Sequence, residues 1–114
     1  MTTEEIVGRL RELIIAGENV KAEQELYSAD VVSYEQDGRV VSGLEGVIEK
    51  TKASFEYFEE SYGTKISEEY VGKNSFLIKI DMDVRPKGGE RMQMSEYGFY
   101  KVRDGKIVEE HFFA

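Results

Sequence analysis

Residues 91–113 read RMQMSEYGFYKVRDGKIVEEHFF, running from Arg91 to Phe113, and this stretch decides the fold. Two segments meet at Asp104-Gly105, the kind of residue pair that a tight two-residue hairpin turn requires. Side chains alternate across a strand, so Met92, Met94, Glu96, Gly98, Tyr100 and Val102 share one face. Around a two-residue turn Val102 pairs with Ile107, which carries that face into the last strand.

Toward the N-terminus the two-residue period holds back to Gly63, giving strands at 65–71, 75–85, 91–102 and 106–113. The single proline falls in the turn Pro86-Lys87-Gly88-Gly89. Before Gly63 the period is helical. Leu44, Ile48, Thr51, Phe55, Phe58 and Tyr62 step by three or four and predict one long helix opening after Gly43. Residues 31–35 and 39–42 read as two short strands around Asp37-Gly38. Two helices come first. Thr2 or Thr3 caps one, with Glu4 and Glu5 in its positive first turn, Ile6, Leu10, Leu13 and Ile14 at helical spacing, and Gly17 at its end. The second runs from 18 to about 28 and buries Val20, Ala22 and Leu26 or Tyr27.

This order predicts one α+β domain over residues 1–114. A strongly curved antiparallel sheet, a cone or half-barrel, carries the two N-terminal helices, and the long helix packs over its concave face. Such a mouth is a common ligand site. The candidate lining is Leu10, Ile14, Tyr34, Phe55, Phe58, Met82, Met94, Tyr100 and Phe112.

Composition narrows the functions. The net charge of −8, from 23 acidic and 15 basic residues with no basic cluster, opposes nucleic acid and anionic membrane surfaces as partners. No apolar run approaches the ~20 residues of a membrane span. Glu4 and Glu5 stand where an export leader would carry Lys or Arg, so a cytoplasmic location is expected. With no cysteine there is no disulfide, thiolate metal site or cysteine nucleophile. One histidine leaves only carboxylate-rich metal sites. Asp81 and Asp83 read instead as the solvated face of their strand, and no metal or cofactor is expected. No nucleophile-elbow motif is present, and Gly88-Gly89 precedes no helix that would make it a phosphate loop.

Three segments carry a family resemblance across nearly the whole chain. They are Leu26-Tyr27-Ser28-Ala29-Asp30-Val31-Val32, Ser42-Gly43-Leu44-Glu45-Gly46-Val47-Ile48 and Asp104-Gly105-Lys106-Ile107-Val108-Glu109. In order and spacing the chain resembles the nuclear transport factor two-like superfamily, and within it the SnoaL-like branch. That superfamily holds isomerases, cyclases, dehydratases, epoxide hydrolases and non-enzymes, so the resemblance implies a pocket and leaves its chemistry open.

Glu35, Glu96, Glu110 and His111 are the candidate catalytic residues. If the face of Met94 and Tyr100 points inward, Glu96 is a carboxyl among apolar neighbours, and burial raises such a pKa. If the face of Tyr97 and Phe99 points inward, Glu96 is solvated. The resemblance puts Glu35 where ketosteroid isomerases of the superfamily carry their proton-shuttling carboxylate. Their two oxyanion donors would correspond to Leu10 and approximately Gly98, which cannot donate, so steroid isomerisation is not expected. In the last strand, unbroken alternation turns Glu109, His111 and Phe113 to the face of Ile107, whereas a bulge after Ile107 turns Glu110 and Phe112 there. His111 is the one side chain that ordinarily titrates near neutral pH.

The expected function is a small-molecule pocket, either a cofactor-independent acid–base enzyme (isomerase, cyclase or dehydratase) for a small apolar or cyclic substrate, or a non-catalytic binding or dimerisation domain. Tyr97, Phe99, Val108 and Phe112 would form the outer apolar face of a homodimer.

Overall fold

The computed structural model describes all residues from Met1 to Ala114. Helix α1 spans Thr3–Ile15. Thr2 and Glu5 close a reciprocal capping box at its start, Glu5 N to Thr2 Oγ1 at 3.2 Å and Thr2 N to Glu5 Oε1 at 2.8 Å. Its buried stripe, Ile6, Val7, Leu10, Leu13 and Ile14, joins Ala22 and Leu26 of α2 (Asn19–Leu26) in the core. No helix is long and apolar enough to cross a membrane.

The six strands are β1 (Tyr27–Tyr34), β2 (Val40–Ser42), β3 (Phe58–Val71), β4 (Ser75–Pro86), β5 (Met92–Arg103) and β6 (Lys106–Phe113). They form one sheet in the order β2-β1-β6-β5-β4-β3. Neighbours are antiparallel with one exception: β1 runs parallel to β6. The sheet is therefore mixed, not purely antiparallel as expected. Local periodicity cannot show which distant strand a segment will meet, and β1 meets the last one.

The long helix is shorter than its apolar spacing predicts. Helix α3 spans Leu44–Glu56 and β3 begins at Phe58. Phe58 and Tyr62 keep the helical step in sequence, yet both are strand-favouring aromatics. Pairing along β4, from Phe58↔Pro86 to Val71↔Phe76, overrides the local signal. The buried face of α3 is also turned, with Val47 and Thr51 innermost.

The hairpin decides which face of the sheet is concave. Val102 pairs with Ile107 and Lys101 with Glu109, leaving Val108 as the extra residue of a bulge. Beyond it Tyr100 pairs with Glu110 and Gly98 with Phe112. Met94, Glu96, Gly98, Tyr100 and Val102 thus share the inner face with Glu110 and Phe112. The Phe76 ring of β4 stacks on Tyr100 at 4.7 Å.

Candidate functional site

Between the concave sheet and the helices lies a cavity of about 640 Å³, the size of a small-ligand pocket. Leu10 and Ile14 of α1 line one side; Met82, Met94, Tyr100 and Phe112 come from β4, β5 and β6. Phe55 and Phe58 stand near the mouth, where Phe55 is 45% exposed. Of the expected lining only Tyr34 is elsewhere. Strand parity from buried Val31 and Ser33 sends it to the outer face, where its ring stacks on His111 at 4.3 Å.

The four candidate catalytic residues separate. Glu35 and Glu96 both line the cavity. Glu110 points inward but lies behind the wall, 1% exposed. His111 is on the convex side, stacked on Tyr34 and 3.4 Å from Glu109, because the bulge at Val108 reverses the parity that would have turned it inward.

Lys50 of α3 ties these groups together. Its Nζ donates to Glu110 Oε2 at 3.0 Å, Ser33 Oγ at 3.0 Å and Glu35 Oε2 at 3.3 Å. Burial opposes the ammonium charge, but Glu110 and Glu35 outweigh it and raise the Lys50 pKa. Ser33 Oγ lies 2.7 Å from Glu110 Oε2 and 2.9 Å from Glu35 Oε2. Tyr27 donates its hydroxyl to Glu110 Oε1. Burial first, then the Glu110 charge, holds the Tyr27 hydroxyl well above the usual phenol range.

Two carboxyls have raised pKa values. Burial moves Glu96 up, partly offset by a hydrogen bond from Gln36 Nε2 at 3.2 Å. Glu23 of α2, only 6% exposed, is pushed up to about 7 by burial, against the hydrogen bond from Thr51 Oγ1 at 2.5 Å, with Glu110 and Glu35 adding repulsion. Its Oε1 has no partner.

Sequence reasoning missed Glu23, Tyr27, Ser33 and Lys50 as site residues. Some signal was there. Glu23 falls within the Ala22–Leu26 stripe, and Ser33 and Glu35 follow Val31 at strand parity. Lys50 gave none, because a lysine on a helix is ordinarily solvated.

The comparisons agree with this architecture. No curated protein matches the chain. Among solved structures, a Mesorhizobium loti protein is 36% identical, each chain fully covered, with a TM-score of 0.89. It is provisionally named a SnoaL-like polyketide cyclase, with carbohydrate phosphatase given as a second name. A Jannaschia protein, also provisionally named a SnoaL-like polyketide cyclase, shares the fold at 16% identity and a TM-score of 0.85, over 97% of this chain and 83% of its own. A nuclear transport factor two-like protein of unknown function from Burkholderia pseudomallei does so at 13% identity and 0.84, over 97% and 88%. The family model of the SnoaL-like domain matches residues 1–114, and the chain belongs to that family.

Proposed function

We propose that the chain is a cofactor-independent acid–base enzyme of isomerase, cyclase or dehydratase type. Its substrate is small, largely apolar and cyclic, with a carbonyl beside the C–H bond that breaks. The observation that carries this reading is the setting of Glu35. Its Oε2 is held by Ser33 and Lys50, while its Oε1 has no protein partner, on the wall of an apolar cavity. A carboxylate fixed through one oxygen presents the other as a proton acceptor. The substrate proton passes to Glu35 Oε1, and the electron pair of the broken C–H bond moves toward the carbonyl oxygen. Glu35 then returns that proton to the substrate, and Glu96, whose pKa burial raises, stands on the wall of the same cavity as a second carboxyl. The provisional cyclase name of the Mesorhizobium loti protein is in keeping with this chemistry.

The test is hydrogen–deuterium exchange of a panel of cyclic ketones and 1,3-diketones in D₂O, followed by proton NMR. The wild-type protein accelerates exchange, and Glu35→Gln lowers the rate by about 10²–10⁴-fold. If no panel member exchanges faster than in buffer while binding persists, the pocket is a non-catalytic binding site.

The outer face supports a second, compatible reading. Tyr97, Phe99 and Val108 are only partly buried there, although Phe112, which had been expected among them, points inward. We propose this strip as a homodimer contact. A monomer by sedimentation at high concentration overturns it.

A further inference from the structure

Removing a proton beside a carbonyl loads negative charge onto the oxygen, which then needs a hydrogen-bond donor in the cavity. Most donors are committed. The three Lys50 protons go to Ser33, Glu35 and Glu110. The Tyr27 proton goes to Glu110. Tyr100 lies beside the Tyr27 hydroxyl, and burial raises its pKa more than that contact lowers it. Ser54 donates to the Lys50 carbonyl. Gln36 and Arg39 are exposed side chains of the β1–β2 turn, and Asn19 stands at the start of α2. Thr51 stands in the buried wall with its hydroxyl on Glu23, so whether it is free to donate depends on that carboxyl.

We propose, resting on the acid–base reading above, that the Thr51 hydroxyl is the catalytic donor to the substrate's carbonyl oxygen, with Glu23 behind it as the positioning residue. The two oxygens are 2.5 Å apart, and Thr51 lines the cavity while Glu23 does not. One hydrogen bond joins them, and it can run either way. An ionised Glu23 draws the Thr51 proton toward itself, away from the cavity. A neutral Glu23 donates from Oε2 to Thr51 Oγ1 and releases the Thr51 proton for a ligand. The buried, unpartnered Oε1 favours the neutral form, since an unpaired oxygen of a buried carboxylate is costly. The charged groups facing Glu23 are Lys50 on α3, Glu35 just after β1 and Glu110 on β6. Two carboxylates against one ammonium tip the balance the same way, in line with a pKa near 7.

A spectroscopic probe tests this without the natural substrate. Acetophenone labelled with carbon-13 at the carbonyl stays neutral across the working pH range, and its carbonyl signal moves downfield when the oxygen accepts a hydrogen bond. Bound to the wild-type protein, the signal is downfield at pH 6 and retreats as pH rises through about 7. Glu23→Gln, which can donate to Thr51 but cannot ionise, keeps the downfield position at every pH. Thr51→Val removes the displacement at every pH and weakens binding by about tenfold, whereas Thr51→Ser retains both. An unchanged carbonyl signal in Thr51→Val, or the same pH dependence in Glu23→Gln, overturns the assignment. Deuterium exchange separates the two proposals. If Glu35→Gln abolishes exchange but Thr51→Val leaves rate and carbonyl signal alone, only the donor assignment fails. If acetophenone does not bind, the proposed apolar ketone-binding pocket and its donor fail together.

Discussion

The ring of Tyr100 lies folded back over Gly98 on its own strand. A Cβ at position 98 would sit 2.7 Å from Tyr100 Cε1 and 2.8 Å from its hydroxyl oxygen. The bare backbone lets the ring lie flat, stack on Phe76 and keep its hydroxyl on Tyr27. The position that the resemblance approximately assigns to an oxyanion donor is thus filled by a neighbour's ring.

Gly98→Ala should therefore displace Tyr100 instead of merely stiffening the strand. Overpacking of this kind costs about 1–3 kcal/mol. Chemical denaturation should show that loss, and Gly98→Ala/Tyr100→Phe should recover little of it, since the ring carbon clashes as well as the hydroxyl.

The burial of Glu23 makes stability depend on pH. Its folded pKa, about 7, lies above the ordinary value of about 4.3, so the native state holds the extra proton between those limits. Stability is greatest below about pH 4 as far as this group is concerned, falls as pH rises, and levels off above about 7. The difference is roughly 4 kcal/mol. Glu96, raised in the same direction, adds to the slope. Urea titrations from pH 5 to 8 should show it, and Glu23→Gln should flatten most of it; an unchanged slope in that variant would place the titrating group elsewhere.

Lys50 is the single cation between Glu35 and Glu110. Lys50→Met keeps the length of the side chain but leaves the Glu110 charge buried without a counter-ion, which should cost about 3–5 kcal/mol. Adding Glu110→Gln removes the orphaned charge, and more than half of the loss should return. A double-mutant cycle checks this coupling. Additive losses would mean that Lys50 and Glu110 do not act as a unit.

His111 provides the contrast. It stacks on Tyr34 on the convex face, away from the cavity. His111→Gln should lose about 0.5–1.5 kcal/mol of ring stacking, while deuterium exchange and the bound acetophenone signal stay as in the wild type. A fall in exchange without unfolding would bring this histidine back into the chemistry.

Period and turn residues by themselves determined the α+β class, the β5–β6 hairpin at Asp104-Gly105, the pairing of Val102 with Ile107 and the shared face of Glu96 and Tyr100. These are local properties, set by alternation along one segment and by the stereochemistry of one turn. Tertiary structure decided the rest. The bulge at Val108 chose Glu110 over His111, pairing with β4 ended α3 at Glu56, and the parallel contact with β6 brought Ser33 of β1, and Glu35 just after it, to Glu110. A charge network of Lys50, Glu35 and Glu110, with Glu23 beside it, joins residues from α2, α3, β6 and the turn after β1. Burial and long-range pairing depend on partners far along the chain, and no periodicity within a segment encodes them.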